Sequence, residues 1–153
     1  MRSTLILTLL LLQSTAAHAA LGGAPSNFGA TQPARLSAHR LEAANSTGAA
    51  ANYTVSETTL DSGTVVREYA AASGTVFAVS WNGPFVPDLR TLLGSHFDTM
   101  ARQAAKTPHA GHSQFTLNQS DVVIESGGHM RAYMGRAWIP DQLPAGFASA
   151  DIN

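Results

Sequence analysis

The sequence contains no cysteine. Disulfide bonds are therefore excluded, and so is an amino terminus lipid-modified in the manner of bacterial lipoproteins, which requires a cysteine. Stability has to come from an ordinary packed core, which a folded region of about 100 residues can supply.

Charge of either sign is scarce and nearly balanced. Nine Lys and Arg stand against ten Asp and Glu, which gives a formal net charge of −1. Nucleic-acid-binding domains usually carry a basic face, and a polybasic segment is needed to hold a protein on an anionic membrane. The balance therefore predicts neither a nucleic-acid partner nor such a membrane anchor.

Long apolar runs are also missing. Leu5–Leu12 is apolar except for Thr8, and it is shorter than the roughly 20 residues needed to span a bilayer. Arg2 before this run and Ala17-His18-Ala19 after it are typical of a secretory signal peptide. We predict that residues 1–19 are removed, that the protein is exported to the periplasm or the medium, and that the mature chain has no transmembrane segment.

The segment after the predicted cleavage site has little that a core could bury. Residues 20–52 are rich in Ala, Gly, Ser, Thr and Asn, a composition typical of flexible chain. Residues 34–44 could form a short helix, but only Leu36 and Leu41 would give it an apolar stripe. We predict a flexible N-terminal segment over residues 20–52.

The strongest pattern begins at Thr64. Side chains alternate between the two faces of a strand over residues 64–69 and again, with Phe77, Val79 and Trp81 on one face, over residues 75–81. The turn between these runs contains Gly74, which can adopt a positive φ. The pattern predicts a β-hairpin.

A helix is predicted to follow this hairpin. Pro87 suits a first helical position, and Asp88 places negative charge near the positive end of the helix dipole. The helix is expected to reach about Gln103, with Gly94 in its middle. Its apolar residues recur at helical spacing and form one stripe: Leu89, Leu92, Leu93, Phe97 and Met100.

Three more strands are predicted. They lie at residues 53–60, at 114–125, where Asn118–Ser120 could interrupt the strand, and at 129–139, where Gly135 could bend it, with a turn at Ser126-Gly127-Gly128. The resulting order is βββ-α-ββ with short connections. It predicts an α+β fold in which a small antiparallel sheet of about five strands carries one amphipathic helix on one face. The single domain is expected to cover residues 53–147, with a tail at 148–153.

Metal and catalytic motifs are weak. His109 and His112 lie in a loop and His129 could join them, but zinc needs three or four ligands in a fixed geometry. Ser126, His129 and Asp121 have the residue types of a catalytic triad, yet the strand–elbow–helix context is missing. We predict no metal, no cofactor and no catalytic residue from these motifs.

Charged residues also occur within the predicted strands. Paired carboxylates could serve a glycosidase-like site, but cross-strand ion pairs on the solvent face of a sheet are far more common. We favour such ion pairs for these residues: Glu57, Glu68, Glu125, Arg67, Arg131 and Arg136.

Two tryptophans give the best candidate for a binding site. Trp81 and Trp138 each end a predicted strand, and a proline follows each within three residues. If these strands are neighbours, the two indoles and Phe85 could line a groove for a peptide or a sugar. The alternative is that they close one end of the core.

These observations leave three functions open. The first is a non-enzymatic binding or envelope-accessory module, whose partner would be an envelope protein, a peptide or a glycan. The second is a small hydrolase or lyase that uses His129 with Glu125. The third is an assembly protein that pairs through a free sheet edge.

Two blocks of the sequence resemble an exported bacterial family. SETTLDSGTVVREYAAASGTVFAVSWNGPFVPDLRTLLGSHF (residues 56–97) and QSDVVIESGGHMRAYMGRAWIPDQLPAGF (residues 119–147) are similar to the family catalogued as DUF2844, a domain of unknown function. The resemblance implies an extracytoplasmic protein of a Gram-negative proteobacterium. It implies no activity, cofactor or site residue.

Overall fold

Antiparallel strands dominate the structure. The computed structural model describes residues 21–25, 28, 33–40, 52–106 and 114–153. Within these ranges, seven strands form one sheet in the order β1-β2-β3-β4-β7-β6-β5, and every neighbouring pair is antiparallel. The strands are β1 Arg35–Arg40, β2 Asn52–Thr59, β3 Val65–Ala71, β4 Val76–Gly83, β5 Phe115–Asn118, β6 Val123–His129 and β7 Ala132–Trp138.

The helical segment follows β4. It consists of α1 Leu89–Leu93, a 3₁₀ turn Gly94–His96 and α2 Phe97–Lys106. Two further 3₁₀ turns, Pro140–Gln142 and Ser149–Asp151, follow β7. None of the helices in the part of the chain that the structure describes is long and apolar enough to cross a membrane.

A β-bulge in β4 distributes apolar side chains to both faces of the sheet. Tyr69 pairs with Ala78 and Ala70 pairs with Val76, so Phe77 is the extra residue in β4. Because a bulge interrupts strict alternation, Val76 packs on one face while Phe77 and Ala78 pack on the other. Both faces of the sheet therefore acquire a core.

The helix face carries the larger core, where α1 contributes Leu92 and Leu93. The opposite face carries a smaller core that is closed by the last residues of the chain. We call residues 143–153 the C-terminal segment, and Phe147 and Ile152 are its buried anchors. The tail predicted for 148–153 thus packs on the sheet.

The helix is not continuous as predicted. Gly94 adopts φ +54° and ψ −125°, which ends α1 after five residues, and the chain resumes as α2 only at Phe97. Asp88 caps α1 from outside the helix: its carboxylate accepts hydrogen bonds from the amides of Arg90 and Thr91. A glycine with positive φ is a common helix terminator.

The α+β class is confirmed, but the prediction of five strands in the order βββ-α-ββ is wrong. β1 lies within the segment predicted to be flexible or helical, and Leu21 from the same segment is buried. The run predicted at 114–125 is divided into β5 and β6, close to the interruption considered at 118–120. Ser126-Gly127-Gly128 continues β6, and the turn comes later, where Arg131 has φ +67°. Residues 1–19 lie outside the described residues.

Candidate binding face of the sheet

A row of mainly polar side chains crosses the whole sheet on the face opposite the helices. Each strand contributes one residue, and each is directly paired with the next across the sheet. Side chains at paired positions share a face, so these residues form one continuous row. Their charges alternate outward from a central serine. From β1 to β5 the row reads Arg35, Glu57, Arg67, Ser80, Arg136, Glu125 and Thr116.

Two ion pairs lie on either side of Ser80. Nε of Arg67 is 2.9 Å from Oε2 of Glu57, and Nε of Arg136 is 2.8 Å from Oε2 of Glu125. The four side chains are between 33% and 40% exposed. Because each guanidinium uses Nε for its carboxylate, Nη1 remains available as a donor.

Those Nη1 groups bind the main chain of the C-terminal segment. Arg67 Nη1 donates to the main-chain oxygen of Asn153 at 3.0 Å, and Arg136 Nη1 donates to Ser149 O at 3.0 Å and Ile152 O at 3.5 Å. Ser80 Oγ also donates to Asn153 O, at 2.9 Å. The polar row therefore already holds a polypeptide main chain.

Tyr69 completes this set of contacts. Its hydroxyl donates to Asn153 O at 3.0 Å and accepts from Asn153 N at 3.1 Å. One phenol thus contacts both main-chain polar atoms of the same residue.

The apolar anchors of the C-terminal segment lie beside the polar row. The ring of Phe147 lies 5.0 Å from Phe77, 5.1 Å from Tyr53 and 5.9 Å from Tyr69, measured between centroids, with edge-to-face geometry in all three pairs. Such aromatic pairs contribute about 0.5–1.5 kcal/mol each beyond burial. Ile152 is only 2% exposed.

An open groove runs along one side of the C-terminal segment. We call it the β5–β7 groove. It has a volume of about 530 Å³, within the usual range for ligand pockets. Its lining combines the Arg136–Glu125 pair with amide, hydroxyl and apolar groups: Ser80, Trp81, Asn82, Gln114, Phe115, Thr116, Glu125, Ser126, Gly127, Met134, Gly135, Arg136, Ile152 and Asn153.

A second groove, of about 470 Å³, lies on the other side of the C-terminal segment. Arg35, Glu57 and Arg67 line it, together with Asp151 and Asn153. The end of the C-terminal segment therefore lies between two open spaces.

The charge of the C-terminal segment also influences a nearby phenol. Burial raises the pKa of the Tyr53 hydroxyl, and the carboxylate of Asp151 raises it further, followed by Tyr69. All three effects raise the pKa and disfavour the phenolate, so the Tyr53 hydroxyl stays neutral at physiological pH.

The three aromatic residues predicted to line one groove are separated in the structure. Trp81 and Trp138 lie on adjacent strands, but Trp81 packs in the helix-face core and Trp138 in the core of the opposite face. Phe85 is 57% exposed, in the loop after β4. The sequence pattern did not give the register between β4 and β7. In the structure Trp81 pairs with Gly135 and Trp138 pairs with Ala78, so the two indoles are not opposite each other.

Trp138 contributes to the candidate face, and Trp81 borders its groove from the helix-face core. The Trp138 ring lies 5.4 Å from the guanidinium carbon of Arg136, within the distance of a cation–π contact. Trp81 borders the β5–β7 groove while its indole packs over Gly135: a Cβ atom on that glycine would lie 2.1 Å from Cζ2 of Trp81.

The predicted cross-strand ion pairs are confirmed for Glu57 with Arg67 and for Glu125 with Arg136. Glu68 lies on the opposite face of the sheet, where it is buried. The residues that sequence reasoning missed are Ser80, Tyr69 and Asn153. Strand alternation assigns Ser80 and Tyr69 each to one face of its own strand. No periodic pattern in residues 148–153 predicts that this segment packs on the face that carries them.

The alternative catalytic pair is not assembled. His129 is exposed at the end of β6, four residues after Glu125, which places the two about 13 Å apart along the strand. Glu125 is already paired with Arg136. His109 and His112 lie outside the described residues. Within the described residues, no group of three or more His, Cys, Asp or Glu could hold a metal ion.

Comparison with protein families gives a match. The sequence model of a family described as "Protein of unknown function (DUF2844)" matches residues 17–152. No curated protein and no solved structure matches the chain significantly. Because the family match covers most of the sequence, this chain belongs to the DUF2844 family.

Proposed function

We propose that this protein is an exported, non-enzymatic binding module whose ligand occupies the β5–β7 groove. The observation that carries the proposal is the Arg136–Glu125 pair at the wall of this groove, where the guanidinium also binds main-chain oxygens. An arginine held by a carboxylate and an aromatic ring is a preorganised donor.

The composition of the groove supports binding rather than chemistry. Asn82, Gln114 and Thr116 offer neutral hydrogen-bonding groups, and Met134 offers an apolar surface that is 54% exposed. A few placed polar groups on a partly apolar wall are typical of ligand sites. Since Glu125 is engaged by Arg136, it is poorly placed to act as a general base.

Two methionines allow a matched test of the groove. Met134 lines it, whereas Met130 is 84% exposed in the β6–β7 turn and is not part of the lining. Met134→Glu places a charge against the groove wall, and Met130→Glu makes the same change outside it. We expect an envelope ligand captured by the wild-type protein to be retained by Met130→Glu and lost by Met134→Glu.

The measurement is affinity capture from a Gram-negative envelope extract, followed by mass spectrometry and by titration of each captured component. Circular dichroism of both variants controls for folding. A ligand that binds Met134→Glu as tightly as the wild type would place its site elsewhere, and the absence of any captured ligand would count against a binding module.

Export is tested separately, by expressing residues 1–153 in a Gram-negative host and fractionating the cells. We expect a protein that starts at Ala20 in the periplasm or the medium. An uncleaved cytoplasmic product would contradict the proposed location.

A further inference from the structure

We propose that the polar row recognises the main chain of a polypeptide, and that the C-terminal segment is the resident occupant that an incoming peptide displaces. This rests on the proposed function, because it names the ligand class of the same face. It also goes beyond the groove, since the peptide would take the place now held by residues 147–153.

The hydrogen bonds identify the ligand class. Arg67, Ser80, Tyr69 and Arg136 all contact main-chain atoms of the C-terminal segment. Arg67, Ser80 and Tyr69 meet at one main-chain oxygen of Asn153, and Arg136 binds the oxygens of Ser149 and Ile152, so these contacts recognise polypeptide main chain without reading its sequence. The N–H and the oxygen that the Tyr69 hydroxyl contacts belong to one amino-acid residue and are joined through its Cα, an arrangement that the N-acetyl group of a sugar does not present.

The apolar anchors supply the sequence preference. Phe147 enters the aromatic cluster of Tyr53, Tyr69 and Phe77, and Ile152 is buried beside the polar row. The preferred peptide therefore carries an aromatic residue followed five positions later by a branched aliphatic residue.

The geometry makes the C-terminal segment displaceable. It forms a 3₁₀ turn over Ser149–Asp151 and pairs with no strand among the described residues. Open grooves lie on both of its sides, and Asn153 lines both of them. Between the buried anchors Phe147 and Ile152, residues 148–151 are exposed or half-buried, and a segment held at separated points can open locally without unfolding the sheet.

The β5–β7 groove offers an entry route. Ile152 and Asn153 form part of its lining, so a peptide lying in the groove is already next to the resident segment. Arg136 is shared: it lines the groove and holds Ser149 and Ile152.

The test uses a fluorescein-labelled synthetic peptide, LPAGFASADIN, which corresponds to residues 143–153. Its binding to the full-length protein is measured by fluorescence anisotropy. Ile152→Asp in the protein removes one anchor of the resident segment and raises the fraction of open sites. We expect this variant to bind the peptide at least about tenfold more tightly than the wild type, because a ligand's apparent affinity scales with the competent fraction.

Two variants establish specificity. Adding Arg136→Gln to Ile152→Asp should abolish the gain, and a peptide with serine in place of its Phe and Ile should not bind. Equal peptide affinity of the wild type and Ile152→Asp, with Ile152→Asp folded, would overturn the proposal.

A second measurement covers the case in which Ile152→Asp fails to fold. Hydrogen exchange by mass spectrometry follows residues 143–153 of the wild-type protein while excess isotope-labelled peptide is added. Faster exchange confined to the protein's own segment supports displacement, and unchanged exchange at saturating peptide contradicts it. If an envelope ligand is lost in Met134→Glu while the peptide never binds, the groove function stands and this inference alone fails.

Discussion

A missing side chain at position 135 determines how the two central strands pack. Gly135 of β7 pairs with Trp81 of β4, and the absence of a Cβ leaves room for the indole in the helix-face core. Sequence reasoning recognised Gly135 only as a possible bend in its strand. The partner could not be predicted, because strand alternation gives the face of a residue but not its neighbour across the sheet.

Gly135→Ala should therefore destabilise the protein. The new methyl would lie 2.1 Å from Cζ2 of Trp81 and 2.8 Å from the main-chain oxygen of Glu125, and overpacking of this kind typically costs about 1–3 kcal/mol. Urea denaturation measures the change in free energy of unfolding. Trp81→Leu in the same background should recover part of the loss, since the two sites are in contact; a strictly additive double variant would argue against this packing.

Among the elements, the helical segment shows both the strength and the limit of periodicity. The apolar spacing correctly identified Leu92 and Leu93 as core residues. It did not reveal the interruption at Gly94, because an apolar stripe can continue across a break in the backbone. Two strands show the same limit. The charged residue and the glycines of β6 did not mark where that strand ends, and the exposed β1 has almost no apolar pattern to detect.

The capping of α1 makes a testable contribution. Asp88 accepts from the amides of Arg90 and Thr91 and from the Thr91 hydroxyl, the last at 2.6 Å. We expect Asp88→Ala to lower the free energy of unfolding by about 0.5–2 kcal/mol, measured by denaturation at pH 7.

The same residue predicts a pH dependence. The Thr91 hydroxyl bond is the largest cause that lowers the pKa of Asp88, with the amide bonds and the Arg90 charge adding to it against partial desolvation. A lowered folded-state pKa means that the stabilisation is present above the usual aspartate pKa of about 4 and is lost as pH falls through the folded-state value. The difference between the wild type and Asp88→Ala should therefore shrink in acid, whereas Asp88→Asn should keep much of the cap and show little of this dependence.

For the whole molecule, the feature that matters is one sheet with a core on each face. Leu92 belongs to the helix-face core and Phe147 to the core under the C-terminal segment, and the two cores share no residue. The sequence predicted only the first, since a helix has a visible apolar stripe and two isolated anchors in an irregular segment do not.

Substitutions in the two cores should therefore act independently. We expect Leu92→Ala to cost about 2–5 kcal/mol and Phe147→Leu about 1 kcal/mol as a milder change. The double variant should lose the sum within about 0.5 kcal/mol, as is typical of separated sites. Chemical denaturation of all four proteins tests this, and a large coupling energy would show that the sheet transmits packing changes between its faces.

The strand order has a consequence for how fast the chain folds. β1–β4 form one meander and β5–β7 form another, and within each meander the paired strands are consecutive along the chain. β4 pairs with β7, although the helical segment, β5 and β6 separate them in sequence. Pairing β4 with β7, which we call the β4–β7 seam, brings together distant parts of the chain, and contacts of this kind slow folding. The seam is thus expected to set the rate, and because Trp81 and Gly135 meet there, the Gly135→Ala variant should lose its stability mainly as slower refolding in stopped-flow experiments.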